Sequence, residues 1–446
     1  MNMNKCLILL ALLLFTSCGE DIVNEVSLAE IPNFSEENYE IVSLDNSGNI
    51  EAIWFKNLEF LPGTVLDTLL EVKRIFLDHV DSVTNDLAKL TKLETIKIWA
   101  PDLANIPTSI GQLPNLKEIR FYNCSVKDLP KSLTLSTSLT SVTIGFCQLE
   151  LIEAISKMSG LQELIIEGGA DYTFIPNEVT ELQNLRKLEI GNSNIVKLPK
   201  GLGIMSNLER LDIHNANIDS IPASIGNLSH LRLFRLQMNR SPVSLPNELS
   251  NCLALESLHI ESTQIDHVPK DIGQLKALRS IRFYGNSIRS LPDSFGELSS
   301  LEDLNIVDNE ISFLPASITK LSSLQFMNIS SNMLTELPDN MGTMSNLLRL
   351  YAPFNSLKSL PESISYLENI TEIHLAHNQL ETIPSEIGRL SQLRRLILSD
   401  NKLSSIPITS LGQLRNLNTL SLSNNPFPKS QADELKSLLP NTAIDY

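Results

Sequence analysis

From about residue 50 to the C-terminus, apolar residues return in one fixed phrase. In its clearest copy Leu301, Leu304 and Ile306 stand at positions 1, 4 and 6, Asn309 at 9, Ile311 at 11, Leu314-Pro315 at 14 and 15, and Ile318 and Leu321 at 18 and 21. Copies begin at Leu278, Leu301, Leu324, Leu347, Ile370 and Leu393, each 23 residues after the last. The phase runs back through Leu255, Leu231, Leu208, Leu185, Leu161, Leu139, Leu116 and Leu93, with degenerate copies at Val72 and Ile50, and forward to Leu417. A fixed period of this length marks a solenoid, in which no unit buries its own apolar edge and each needs its neighbours.

Alternation about position 5 predicts a short strand. Positions 1, 4 and 6 point into the stack, while positions 2, 3, 5, 7 and 8 lie on or beside the exposed face. At position 9 the chain turns out of the strand. The asparagine there recurs as Asn286, Asn309, Asn332, Asn355, Asn378 and Asn401, and its amide can satisfy backbone groups of adjacent coils that lack a ladder partner. The Leu-Pro pair discourages a regular helix on the returning side, where two further apolar residues close the core. The predicted fold is an α/β solenoid, one elongated domain over residues 50–428, with a parallel β-sheet on its concave side and irregular or 3-10 structure on its convex side. Sixteen steps from Ile50 to Leu417, at about 4.8 Å each, give a sheet of roughly 75 Å, the scale of a protein ligand rather than a small molecule.

The ends differ from the repeats. Residues 1–17 read as an export signal: Asn2 to Lys5 is weakly basic, and Leu7 to Phe15 is apolar but short for a membrane span. Residues 18–49 form an acidic tether and N-terminal cap, with eight acidic residues and no Lys or Arg between Gly19 and Ile50. Residues 429–446 are a C-terminal cap, in which Ser430 to Asp433 reads as a capped helix start and Leu435, Leu438 and Leu439 cover the last coil before Pro440. No second domain that would carry catalysis is expected.

The net charge of −17 argues against nucleic acid and against binding to anionic lipid by charge. Register accounts for the cysteines. Cys6 lies in the signal, Cys124 and Cys147 take position 9 in consecutive repeats, and Cys252 falls among the residues that close the convex core. Adjacent coils bring Cys124 and Cys147 within reach of a disulfide, although two buried thiols are the expected state. No cysteine or histidine cluster has metal-ligand spacing, so neither a metal nor another cofactor is expected.

Recognition then falls to the concave face. Position 2 reads Glu209, Arg232, Glu256, Arg279, Glu302, and position 5 reads Asp212, Arg235, His259, Arg282, Asn305. Parallel coils stack in register, so alternating signs predict a cross-strand ladder that neutralises itself; the competing reading is a basic stripe carried by Arg235 and Arg282. Exposed aromatics are the stronger partner-binding candidates. Trp99, Tyr122 and Phe146 belong to three consecutive coils beside Lys97 and Arg120, and Tyr351, Phe354, His374, His377 and Ile397 to three others, with Tyr284 between the groups. Ala352 is small for position 6, so Phe354 filling that gap is the alternative. His374 and His377 lack a third metal ligand. Two coils carry one extra residue just after the strand, at Gly168 to Tyr172 and at Asn239 to Pro242.

Two resemblances add to this reading. Leu14 to Gly19 resembles the lipobox of bacterial lipoproteins, with Phe15 where leucine is usual; the resemblance implies cleavage before Cys18 and its lipidation, with several acyl chains giving stable anchoring. Gly19 after the cysteine implies outer-membrane sorting, and Glu20-Asp21 resembles the acidic start of lipoproteins exported to the cell surface. The phrase from Ile221-Pro222 through Ile225-Gly226 and Leu228 to Leu231 resembles the 23-residue leucine-rich repeats of bacterial surface proteins and of cytoplasmic Ras-pathway scaffolds. This implies a horseshoe specific for fold and silent about ligand. The export signal favours the surface branch. The expected function is a non-enzymatic, lipid-anchored protein that recognises a protein partner through its concave face; a glycan stacked on Trp99, Tyr122, Tyr284 or Tyr351 is the alternative.

Overall fold

The structure, a computed structural model, describes residues 36–103, 105–147, 149–168 and 173–446. The export signal, Cys18, most of the acidic tether and the insertion residues Gly169 to Tyr172 lie outside the described residues. The chain divides into two compact units, one formed by Met1–Val126 with Pro130–Leu133 and the other by Lys127–Leu129 with Thr134–Tyr446.

In the first unit, strand Tyr39–Leu44 runs antiparallel to Ile50–Leu58, and Arg74–Val80, Thr95–Trp99 and Glu118–Tyr122 follow in parallel. The hairpin turn is organised by Asp45, whose Oδ1 accepts from the Ser47 and Asn49 amides at 2.8 and 2.9 Å, while Gly48 takes φ +83°. An antiparallel strand thus pairs the edge that the first coil would otherwise leave open. The degenerate copies at Ile50 and Val72 are complete coils.

Among the described residues, the second unit carries fourteen parallel strands, from Ser141–Gly145 to Ala443–Asp445. Positions 1, 4 and 6 are buried, as Leu301, Leu304 and Ile306 show. Cys124, Cys147 and Cys252 are buried.

The position-9 asparagines bond as their spelling predicts. Asn309 Oδ1 accepts from the Ile288 amide at 3.1 Å, and its Nδ2 donates to the Phe283 carbonyl one coil back at 2.6 Å and to Ile306 at 3.1 Å. Asn332, Asn355, Asn378 and Asn401 repeat the pattern, and Asn239 and Asn425 join the same ladder. A second ladder, absent from the sequence reading, runs along the position-23 asparagines. Asn115, Asn184, Asn207, Asn346, Asn369 and Asn416 each donate to a carbonyl of the preceding coil at 2.7 to 2.8 Å.

On the returning side proline holds an extended backbone and a 3-10 turn follows, as with Pro315 (φ −62°, ψ 142°) before Ala316–Lys320. Where the spelling lacks proline, after Cys147, the return becomes an α-helix, Leu149–Ile155. Consecutive turns approach closely: a Cβ on Gly296 would stand 2.0 Å from the Ser317 carbonyl oxygen.

The C-terminal helix, Lys429–Leu438, departs from its expected cap. It begins after Pro428 with no side-chain cap, because proline pre-sets the first turn. Ala432, Leu435 and Leu439 form the buried stripe, spaced three and four residues apart, and leave Leu438 37% exposed. Strand Ala443–Asp445, not expected from the sequence, then pairs with Thr419–Ser421.

Candidate functional site

Each strand presents positions 3, 5 and 7 on the open face of its sheet, and the rim residue at position 8 has a conformation of its own. In coil after coil that residue lies in the left-handed region: Asn192 at φ 50°, Asn215 at 49°, Asp308 at 59°, Ser331 at 53°, Asp400 at 55° and Asn424 at 57°. Short polar side chains adopt this backbone most readily. Phe146, Met238, Phe354 and His377 adopt it too, at φ 51° to 56°, although bulky residues are disfavoured there. Such outliers point to positions kept for what they display.

In the second unit two of these residues meet. The Phe354 and His377 rings stack with centroids 4.3 Å apart and planes 13° apart, and His377 Nε2 lies 3.6 Å from Asp400. Phe354 is 55% exposed. It therefore does not fill the space left by Ala352: the left-handed backbone turns its ring out onto the rim.

Beside this stack, Tyr351 lies edge-on to Phe326 at 5.3 Å and to His374 at 6.0 Å. Its hydroxyl donates to Glu372, and Arg349 lies 5.0 Å over the Phe326 ring. The register explains the meeting, since Phe326, Arg349, Glu372 and Arg395 form one row and Tyr351, His374 and Ile397 another. Tyr351, Glu372, Ile373, His374, Arg395 and Ile397 line a depression of about 220 Å³. Burial and then Arg395 push His374 below the usual histidine range, so its imidazole is neutral near pH 7. Burial and then the bond to Glu372 raise the Tyr351 phenol. Phe326, Arg349, Glu372 and Arg395 were missed in the sequence; the available signal was an aromatic at position 3, where the neighbouring strands carry Asp303 and Arg349.

The other expected patch divides. In the first unit Trp99 and Tyr122 are paired in register and stack at 5.9 Å with a 23° interplanar angle. Trp54 and Phe76, both missed in the degenerate coils, extend this face, with Lys56 4.0 Å over Trp54 and Lys97 4.8 Å over Phe76. Arg120 is tied to Glu118 at 2.7 Å. Phe146 belongs to the second unit. Its ring occupies the space that a Cβ on Gly168 would need, and it stays 41% exposed. Tyr284 is 46% exposed at position 7.

The charge ladder closes in one row. At position 2, Arg186 pairs with Glu209 at 2.7 Å, Arg232 with Glu256 at 3.3 Å, and Arg279 with Glu302. At position 5 it does not close: Arg235 shares Asp212 with Arg210, and the Arg282 side chain makes no ion pair or hydrogen bond among the described residues.

The description of a leucine-rich repeat region matches residues 296–438, and leucine-rich repeat descriptions match residues 254–311 and 207–228. No curated protein sequence matches the chain. Among solved structures it is similar to a leucine-rich repeat protein of Leptospira interrogans, with 28% identity and a TM-score of 0.60 over 77% of this chain and 93% of that one. A plant peptide hormone receptor, RGFR1 in complex with RGF2, shares 25% identity with a TM-score of 0.55, covering 86% of this chain and 63% of the receptor. The Drosophila Toll structure, solved as the Toll–Spatzle complex, is alike in fold at 21% identity and TM-score 0.68, over 84% of this chain and 54% of that one. The chain thus spans less than two thirds of either receptor.

Proposed function

We propose that this leucine-rich repeat protein binds a polypeptide partner on the exposed sheet face of its second unit and is held at the outer membrane by lipid on Cys18. The observation that carries the binding reading is the cluster of Phe326, Tyr351 and His374 beside the Phe354–His377 stack. Aromatic rings held by neighbours and open to solvent are the residue types that dominate interface energetics. Phe354 sits on backbone that disfavours it. Thirteen strand spacings of about 4.8 Å give a face of roughly 60 Å, ample for a standard interface. The likeness to a receptor solved with RGF2 supports a polypeptide ligand.

The test uses the soluble chain from residue 20 onward as bait for bacterial and host proteins, with each captured partner measured by surface plasmon resonance. A Tyr351→Ala and Phe354→Ala double change should weaken binding at least 30-fold, corresponding to roughly 2 kcal/mol or more. Undiminished affinity would remove this cluster as the anchor, and a glycan array that alone yields a ligand would favour the sugar reading.

The anchoring half rests on the Leu14 to Gly19 spelling. In a bacterial host, labelled palmitate should mark the wild type and not Cys18→Ala, which should leave the membrane fraction. A wild-type protein without label sinks the lipid anchor.

A further inference from the structure

The position-5 row of the second unit places Asp212, Arg235, His259, Arg282 and Asn305 side by side on consecutive strands. Asp212, with only 4% of its side chain exposed, accepts from Arg210 Nη2 at 2.8 Å and from Arg235 Nη1 at 2.9 Å. Two cations therefore share one carboxylate. His259, 8% exposed, adds no compensating charge: burial, then Arg282 and Arg235, hold its imidazole down to about 4, so it is neutral at pH 7. Arg282 is exposed, and its neighbours in the row are His259 and Asn305 rather than an acid. The Nε donors of Arg210 and Arg235 are buried without an acceptor. Around this row the carboxylates pair with other cations or stop short of a direct bond to Arg282. Glu256 is held by Arg232 and Glu302 by Arg279, while Asp303 lies within electrostatic reach of Arg282 and Arg349 but bonds neither, its Oδ1 being buried without a hydrogen-bond partner. Glu261, at position 7 of the His259 strand, borders the row.

Three arginines thus line a face on which, among the described residues, Asp212 is the one carboxylate bonded to any of them, although the chain as a whole is strongly acidic. We propose that Arg235, His259 and Arg282 form a station for an acidic side chain of the polypeptide partner. A carboxylate bridging the two guanidiniums would give Arg282 the direct ion pair it lacks within the chain and would accept from donors already fixed by the sheet. The station rests on the polypeptide-binding reading and adds the ligand's chemistry to it. From the Arg282 strand to those of Tyr351 and His374 is three to four spacings, about 15 to 19 Å, which about five extended residues span. One segment with an acidic residue and an apolar or aromatic residue about five positions apart would engage both places.

The experiment measures fluorescence anisotropy of two labelled decapeptides on the full chain, one alternating glutamate with glycine and the other glutamine with glycine. The glutamate peptide should bind at least tenfold tighter, lose affinity as salt rises, and lose tenfold or more on Arg282→Gln, whereas Arg415→Gln, on the returning side, should change nothing. Arg282 is exposed, so the variant should keep the wild-type melting curve. In histidine NMR, saturation with the glutamate peptide should move the His259 titration upward. Equal binding of the two peptides, or glutamate binding indifferent to Arg282→Gln, overturns the station. If it is overturned while a captured partner still depends on Tyr351 and Phe354, the aromatic reading stands alone; if that partner ignores both changes, the sheet-face reading falls as well.

Discussion

Replacing Asn309 with alanine should cost the second unit about 2 to 6 kcal/mol of unfolding free energy. Asn309 is 7% exposed, and its amide serves two coils at once. Not every bond counts equally. The Ile306 carbonyl keeps Asn332 Nδ2 as a donor and the Val307 carbonyl keeps the Gly285 amide. The Ile288 amide and the Phe283 carbonyl lose Asn309 as their partner, in a place that water does not reach. An unmet buried polar group costs roughly 1 to 3 kcal/mol, and two of them set the range. Urea denaturation followed by circular dichroism checks this, with Asn346→Ala as the comparison. Asn346 makes its bond to the Ser322 carbonyl at the surface, where water replaces it, so its loss should shift the transition far less. Equal effects would show that the buried ladder is not what ties the coils together.

Leu304→Ala should be as damaging for a different reason, at about 2 to 5 kcal/mol. Leu304 is fully buried and pairs in register with Ile281 on one side and Met327 on the other, so the missing methyl groups leave a gap shared by three strands. Such a gap closes poorly, because moving one strand inward disturbs the hydrogen bonds of both neighbours. Tyr351→Ala, by contrast, removes a half-exposed ring whose partners keep access to solvent, and should cost less than about 1 kcal/mol. Thermal and urea melts of the two variants separate scaffold from site. If Tyr351→Ala destabilises as much as Leu304→Ala, the Tyr351 ring is packing rather than display.

By itself, the sequence determined the solenoid, its strand positions, its buried residues and the position-9 ladder. That much was legible because each coil contacts the next through the same positions, so the physical demand on one copy is written again 23 residues later. The left-handed rim was legible in part, in the Asn, Asp, Ser and Gly that recur at position 8. What surrounds each displayed side chain was decided only in three dimensions. Phe326 reads as an ordinary exposed residue until the register sets Arg349 beside it and Tyr351 edge-on. Phe354 reads as either a displayed ring or a cavity filler until its backbone turns it toward His377. Alternating charges read as a closed ladder at positions 2 and 5 alike, yet one row closes and the other leaves Arg282 without an ion pair. The physical reason is common to all three. A side chain on a parallel sheet chooses among partners on two neighbouring strands and along its own, and reach, burial and backbone angle settle that choice where the order of residues leaves it open.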